Sequence, residues 1–408
     1  MNTTDFTPLA PRPSLEQYKK QAKDFVKLAK AGNTDALQQI TKWHPRSAQL
    51  LDSAIPDAQF VLADAQLTIA RKHGFESWAK FAKAVAELNR VDSPVSKFEM
   101  AAEAVVTGDD GKLESLLQEN PELVPARSMR LHRATLLHYI GANGFEDFRQ
   151  RTPENALEVA QILLNAGAEV DAVANIYGGS TTLGLVATSI HPKQAGVQIE
   201  LMKMLLDYGA AIDGASGLRT LIAALHNGRP EAAEFLAQRG AQLDLEGAAG
   251  VGWLDAVENF FNEDGNLKAN ATKAQMEAGF LWACEYGRNG VVAFLLRKGM
   301  DLRTGEGTGM TALHWAVIGG QLETIGLLLE SGAPLEAKNV YGGTALGQAL
   351  WSASHGDAGI DYVSIIEMLI HAGAKIEEGS LAWLEEQKGR SRKPACGSEE
   401  LNPLSRFP

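Results

Sequence analysis

The chain has 408 residues, 45% of them hydrophobic, which is enough apolar material for two or three ordinary domains or one long repeat array. Its formal net charge of −12 argues against a nucleic-acid partner, because phosphate binding requires clustered Lys and Arg. Cys284 and Cys396 provide neither a disulfide framework nor a metal site and are typical of a reducing cytosol. The sequence shows no signal-peptide core and no membrane-length apolar window, so we expect a cytoplasmic protein without a membrane partner.

The first ninety residues predict helices alone. Residues 1–13 are rich in Thr and Pro, and we expect them to be disordered. Ser14 caps a predicted helix that ends near Ala31, and Thr34–Trp43 forms a second helix. Residues 60–72 and 75–88 form a further pair around a Gly turn. Residues 14–90 are therefore expected to be a helical N-terminal capping domain or degenerate repeats, ending near Pro94.

A short closing element, Leu-Leu-x-x-Gly-Ala or a close variant, recurs through the rest of the chain. The copies occupy residues 163–168, 205–210, 236–241, 295–300, 328–333 and 369–374. Their last residues are 42, 31, 59, 33 and 41 positions apart, and the longest interval contains an extra short repeat at 245–265, whose second helix opens at 253–255. This spacing predicts an array of small helical units that must stack to bury their apolar faces.

The unit at residues 309–333 has the clearest local signals. Thr311 precedes a short apolar run that Gly319 and Gly320 end after about two helical turns. Leu328 lies on the apolar stripe of a second helix, and Gly332 stands where a left-handed residue would end that helix. We therefore predict two short antiparallel helices with a sharp exit.

Residues 311–314, Thr-Ala-Leu-His, followed by Gly320 and the Leu328 to Ala333 element, resemble an ankyrin repeat, with Ala312 replacing the usual proline. The resemblance implies an all-α ankyrin-repeat solenoid of stacked helix-turn-helix units with a helical N-terminal cap. It places about seven to eight units and a C-terminal cap (at 381–386) in residues 98–389 and a disordered tail in 390–408. Residues 62–78 also resemble N-terminal segments of bacterial ankyrin-repeat proteins.

Some units depart from the usual repeat length. The unit that contains Thr-Leu-Leu-His at 135–138 inserts residues 145–155 before its second helix. Two others share an Asn-x-Tyr-Gly-Gly phrase, at 175–179 and 339–343, and lengthen between their helices at 191–196 and 355–361. The paired departure suggests a functional surface, although a shared duplication would give the same pattern.

The sequence offers no catalytic centre, cofactor site or metal site. The glycine-rich run 305–309 follows no hydrophobic strand, so a tight hairpin turn is favoured over a phosphate loop. His138 and His314 occupy the slot where an imidazole bonds the backbone of a neighbouring turn. Asp109 and Asp110 are adjacent in a turn, where helix capping or plain solvation is favoured over a functional role. The remaining histidines do not cluster with metal-ligand spacing.

A candidate surface comes from the residue four positions after the histidine slot, which lies one turn further along the inner face of each first helix. This row contains Ala142, Thr188, His226, Gly250, Glu285, Ile318 and Trp351. Tyr286 lies beside it, and Tyr177 and Tyr341 occupy turn tips. We take as partner-binding candidates Tyr177, Thr188, His226, Glu285, Tyr286, Ile318, Tyr341 and Trp351, since aromatic anchors favour binding. Alternatively, Ile318 and Trp351 pack against the long inserts.

The family resemblance implies a non-enzymatic protein-binding scaffold that uses a concave groove and its turn tips. We expect a monomer that binds a protein partner with a neutral or basic surface. The competing interpretation is a small-molecule or catalytic site in which loops around His191 and His355 close over Glu285 and His226.

Overall fold

The computed structural model describes residues 6–50, 60–214, 219–305 and 307–376, and the regular structure of these residues is helical, with isolated antiparallel bridges in turns. The helices are α1 Leu15–Lys30, α2 Thr34–Trp43, α3 Ser47–Leu50, α4 Leu62–Lys72, α5 Trp78–Leu88, α6 Pro94–Thr107, α7 Asp110–Glu119, α8 Ala156–Asn165, α9 Thr182–Thr188, α10 Ile190–Gln194 and α11 Gln198–Asp207. They continue as α12 Thr220–His226, α13 Pro230–Gln238, α14 Leu245–Val251, α15 Leu254–Glu258, α16 Lys273–Glu285, α17 Asn289–Arg297, α18 Ala312–Ile318, α19 Leu322–Glu330, α20 Ala345–His355 and α21 Tyr362–His371. Short 3-10 helices cover Pro121–Leu123, Leu136–Gly141 and Asp147–Arg149. The chain divides into two compact units between Ala224 and Leu225.

The first unit begins with α1 to α5, which pack around an aromatic core. Tyr18 and Phe81 meet edge to face, with ring centroids 4.9 Å apart. The bounds of α1 and α2 agree with the sequence prediction. Ser14 caps α1 as predicted, accepting from the Gln17 amide, and Asn33 caps α2 by accepting from the Ala36 amide. The helices α4 and α5 begin two and three residues later than predicted, at Leu62 and Trp78.

Residues 6–13 differ from the expectation of disorder. Phe6 is buried against Trp43, and the Thr7 amide donates to the Lys72 carbonyl oxygen over 2.9 Å. The imidazole Nδ1 of His73 also lies 2.7 Å from the Thr7 carbonyl oxygen. Amino-acid composition could not predict this packing, because the ring of Phe6 and two contacts of the Thr7 backbone are enough to hold the segment in place.

Three helix pairs follow in the first unit: α6 with α7, the 3-10 helix Leu136–Gly141 with α8, and α9 with α11. Ser93 caps α6, and Pro94 occupies its first turn, so this helix begins four residues before residue 98, where the repeat array was predicted to start. Asp109 caps α7, which is one of the two roles that the sequence left open for it. The insert at 191–196, predicted as a longer connection, contains the short helix α10.

A buried ionic cluster fixes the insert at 145–155. The Glu146 carboxylate is fully buried and lies 3.2 Å from Arg130 Nη1, 2.8 Å from Arg149 Nη1 and 2.9 Å from His132 Nε2. Burial alone would raise the pKa of Glu146, but Arg130 and these other partners hold it well below its usual range. Both arginines also pair with Glu99 of α6, so the insert is tied to the preceding helix pair.

The second unit stacks helix pairs in register. The first helices α14, α16, α18 and α20 contact one another in chain order, and the second helices α15, α17, α19 and α21 do the same. We call the first set the inner helices and the second set the outer helices. Leu313 and Leu328 lie in the apolar core between them. The extra repeat predicted at 245–265 is confirmed, with α15 beginning just after Trp253.

The predicted helix exits are confirmed in both units. Gly332 has φ +83°, in the left-handed region, and the other five copies of the closing element have the same feature. Those glycines are Gly167, Gly209, Gly240, Gly299 and Gly373.

The structural interpretation of the histidine slot agrees with the contacts of His314. His314 Nε2 lies 3.1 Å from the Gly343 carbonyl oxygen, and its Nδ1 accepts the Thr311 amide. Burial lowers the pKa of His138, in the equivalent slot, to about 4. Gly305 and Thr311 form an antiparallel bridge, as a hairpin turn requires. The predicted C-terminal cap at 381–386 and the tail at 390–408 lie outside the described residues.

Candidate partner-binding surface

Three side chains from α12, α16 and the turn after α16 converge in the second unit. The His226 ring meets the Trp282 ring edge to face, with centroids 4.6 Å apart. Trp282 in turn stacks on Tyr286 at 6.2 Å and 10°. His226 and Tyr286 were candidates from the sequence, whereas Trp282, which joins them, was not. We call His226, Glu246, Trp282 and Tyr286 the Trp282 cluster.

A glycine explains how α12 and α16 reach each other across α14. A Cβ added to Gly250 would lie 2.4 Å from Leu225 Cδ1 and 3.4 Å from Trp282 Cβ. Gly250 belongs to the predicted row, and it contributes there by leaving space between the neighbouring helices. Gly250 allows the side chains of the flanking helices to occupy its place.

Carboxylates hold the cluster in position. Trp282 Nε1 donates to Glu246 Oε1 over 3.2 Å, and His226 Nε2 lies 3.9 Å from the same oxygen. The Tyr286 hydroxyl donates to the Leu225 carbonyl oxygen. Burial, and then the charge of Glu285, raises the pKa of Tyr286 far above its usual value, so this hydroxyl stays protonated. Glu285, predicted at the surface, is instead 8% exposed.

Trp315 extends the cluster onto α18. Its ring centroid lies 6.2 Å from that of Trp282, and the residue is 9% exposed. Trp282 and Trp315 both occupy the position one residue after the histidine slot, so the same alignment that gave the predicted row would have found them. The predicted row contains only the position four residues after the slot.

Ile318 and Trp351 have different environments. Ile318 packs against the core, and its carbonyl oxygen accepts the Tyr362 hydroxyl over 3.4 Å. Trp351 remains 49% exposed and stacks on His355 with centroids 4.8 Å apart. Packing therefore accounts for Ile318, while half of Trp351 faces outward with His355 beside it.

The turn at 339–343 presents its tyrosine to solvent. Asn339 Oδ1 accepts the amides of Tyr341 and Gly343, each over 3.0 Å, which stabilises the turn from inside. The Tyr341 ring is left 69% exposed and Val340 64% exposed. This tip is pre-organised, since its backbone geometry depends on Asn339 and not on a partner.

In the first unit, Asn143 joins the two remaining candidates. Its amide nitrogen donates to Thr188 Oγ1 over 2.7 Å, and its amide oxygen lies 3.4 Å from the Tyr177 hydroxyl. The Tyr177 ring also covers Gly144, where a Cβ would lie 2.5 Å from the ring. Tyr177 is still 59% exposed, so this second patch combines an exposed ring with a fixed hydroxyl.

Stacked pairs of short helices with left-handed glycine exits define this chain as a helical-repeat protein. Part of the second unit consists of ankyrin repeats: a family model for three copies of the ankyrin repeat matches residues 248–339 and again residues 280–379. The chain is also similar to Ankyrin repeat and SAM domain-containing protein 6 of Danio rerio, with 29% identity over 143 residues. That match covers 33% of this chain and 18% of the relative. Among the described residues, no helix is both long and apolar enough to cross a bilayer.

Proposed function

We propose that this chain is a non-enzymatic protein-binding scaffold that uses the inner helices and turn tips of its ankyrin units. Ankyrin repeats generally mediate protein–protein interaction. The single observation that carries the proposal is the outward exposure of Trp351, at 49%, on an inner helix where a core position would be covered. Tyr341 adds an exposed ring on the turn that leads into the same helix. Large aromatic side chains held in place at low entropic cost are what binding hot spots favour.

The test is a pull-down from the source cell with the full chain and three variants. Trp351→Ala and Tyr341→Ala should each reduce recovery of a specific partner, because truncating a central anchor typically costs about 2 kcal/mol or more. Val363→Ala is the control, since Val363 is 60% exposed but lies in the first turn of the outer helix α21. Equal recovery with the wild type and with both aromatic variants would rule out this surface.

A further inference from the structure

A Pro-x-x-Pro sequence lies at residues 8–11. We call residues 6–13, Phe-Thr-Pro-Leu-Ala-Pro-Arg-Pro, the proline-rich segment. Proline fixes φ at about −65°, and the residue before a proline is kept out of the α region. The three prolines of this segment therefore favour a polyproline II helix, which has three residues per turn and no internal hydrogen bonds.

The burial of the proline-rich segment changes with the same period of three residues. Phe6 is 3% exposed, and Leu9 packs against the aromatic core of α1 to α5. Pro8 and Pro11 are both exposed, and so is Ala10. Because positions three apart share one edge of a polyproline II helix, the edge with Phe6 and Leu9 faces the protein. The edge with both prolines faces solvent.

Both ends of the proline-rich segment are fixed to the first unit. Phe6 is buried at one end. At the other end, Pro13 is buried, and its carbonyl oxygen accepts from Asn89 Nδ2 over 2.7 Å. The next residue, Ser14, caps α1. Residues 8–12 are therefore held between two fixed ends, so a partner that binds them does not have to order a flexible chain.

Pro-x-x-Pro segments in the polyproline II conformation are the ligands of grooves lined by aromatic side chains. We propose that the proline-rich segment binds such a groove on a second protein, an interaction of the first unit that goes beyond the proposed function. Pro8 and Pro11 enter the groove from the exposed edge. Because proline has no N–H group, its burial against aromatic rings leaves no backbone donor unpaired.

The charges beside the segment define the edge of the groove. Arg12 is exposed and has no ion pair with another described residue. Lys72 lines a cleft of about 460 Å³ between the segment and α1. The acid in the first turn of α1, Glu16, pairs with Lys19 at 2.7 Å. A groove that fits this ligand therefore has a carboxylate beside its aromatic side chains, where it meets Arg12.

The experiment measures binding of the full chain to immobilised, purified SH3, WW and EVH1 domains by biolayer interferometry, since these domains have such grooves. At least one domain should bind the wild type. Pro8→Ala and Pro11→Ala should each weaken that binding about fivefold or more, because each removes a ring that contacts the groove. Pro125→Ala replaces an exposed proline outside the segment and should leave the affinity within about twofold.

Arg12→Gln provides a second test that leaves every proline in place. It should weaken binding about threefold, and the loss should shrink as the salt concentration rises. Absence of wild-type binding to all three classes of domain would overturn the inference. Equal losses in Pro11→Ala and Pro125→Ala would show that the binding surface lies elsewhere on the chain, which would overturn it as well.

Discussion

At the scale of single residues, two glycines are required for opposite physical reasons. Gly332 needs a left-handed backbone, with φ +83°, and a Cβ there would meet nothing within 4 Å. Gly250 needs space, because a Cβ there would lie 2.4 Å from Leu225 Cδ1. The sequence predicted the role of Gly332 from its place after an apolar stripe. It could not predict the role of Gly250, which depends on side chains from two other helices.

We expect Gly332→Ala to cost about 1 kcal/mol in the free energy of unfolding, since an L-residue with a Cβ pays that penalty in the left-handed region. Gly332→Asn should cost less, because Asn tolerates this region better. Urea unfolding of the two variants checks the order. Equal costs would mean that the penalty does not come from the backbone conformation.

Gly250→Ala should cost about 1 to 3 kcal/mol, the usual range for adding a methyl group to a packed site. The added methyl must displace Leu225 or Trp282, so the contact between His226 and Trp282 should change as well. Urea unfolding measures the first effect, and tryptophan fluorescence near pH 7 measures the second. Wild-type stability and fluorescence together would show that the helices do not approach this closely.

At the scale of elements, the repeat signature predicted most helix pairs and their ends. The Leu-Leu-x-x-Gly motif placed six of the second helices, and side-chain caps such as Ser14 set helix starts. The sequence did not predict α10 or the buried cluster around Glu146, because both belong to inserts without a repeat template. The predicted row does not include Trp282, because it contains one position per inner helix, whereas Trp282 and Trp315 occupy a second position that also faces inward.

Leu328→Ala should cost about 2 to 5 kcal/mol, because Leu328 is fully buried in the core of the second unit. Repeats contact mainly their neighbours, so hydrogen exchange should rise first in residues 303–374 and leave residues 14–90 protected. Glu330→Ala, exposed on the same helix, is the control. Uniform loss of protection along the chain would indicate one cooperative globular core and would contradict a stack of units.

At the scale of the whole molecule, buried neutral histidines link stability to pH. Burial lowers the pKa of His73, which packs on Phe81, to about 4, and lowers that of His138 to about 4 as well. In the unfolded chain the pKa of each histidine returns to about 6.5. The unfolded chain therefore binds more protons than the folded chain between about pH 4 and pH 6.5. Stability should therefore be complete above about pH 6.5 and should decline as pH falls toward about 4.

Urea midpoints at about pH 7, 6 and 5 measure this decline. His73→Phe removes one titrating group while it keeps an aromatic ring against Phe81, so the variant should lose less stability than the wild type over the same interval. A variant that declines as steeply as the wild type would show that His73 is not the linked group.

The six glycine exits have a further consequence for chirality. A Cβ at any of these six glycines would have no other atom within 4 Å, so space does not require glycine there. Glycine is favoured only because the backbone has a positive φ, which L-residues with a side chain rarely adopt. A mirror-image alanine, whose favoured φ is positive, should fit at residue 332 without strain and restrict the unfolded chain at the same time. Semisynthesis with D-alanine would then produce a repeat more stable than the natural one, although no genetically encoded side chain can achieve it.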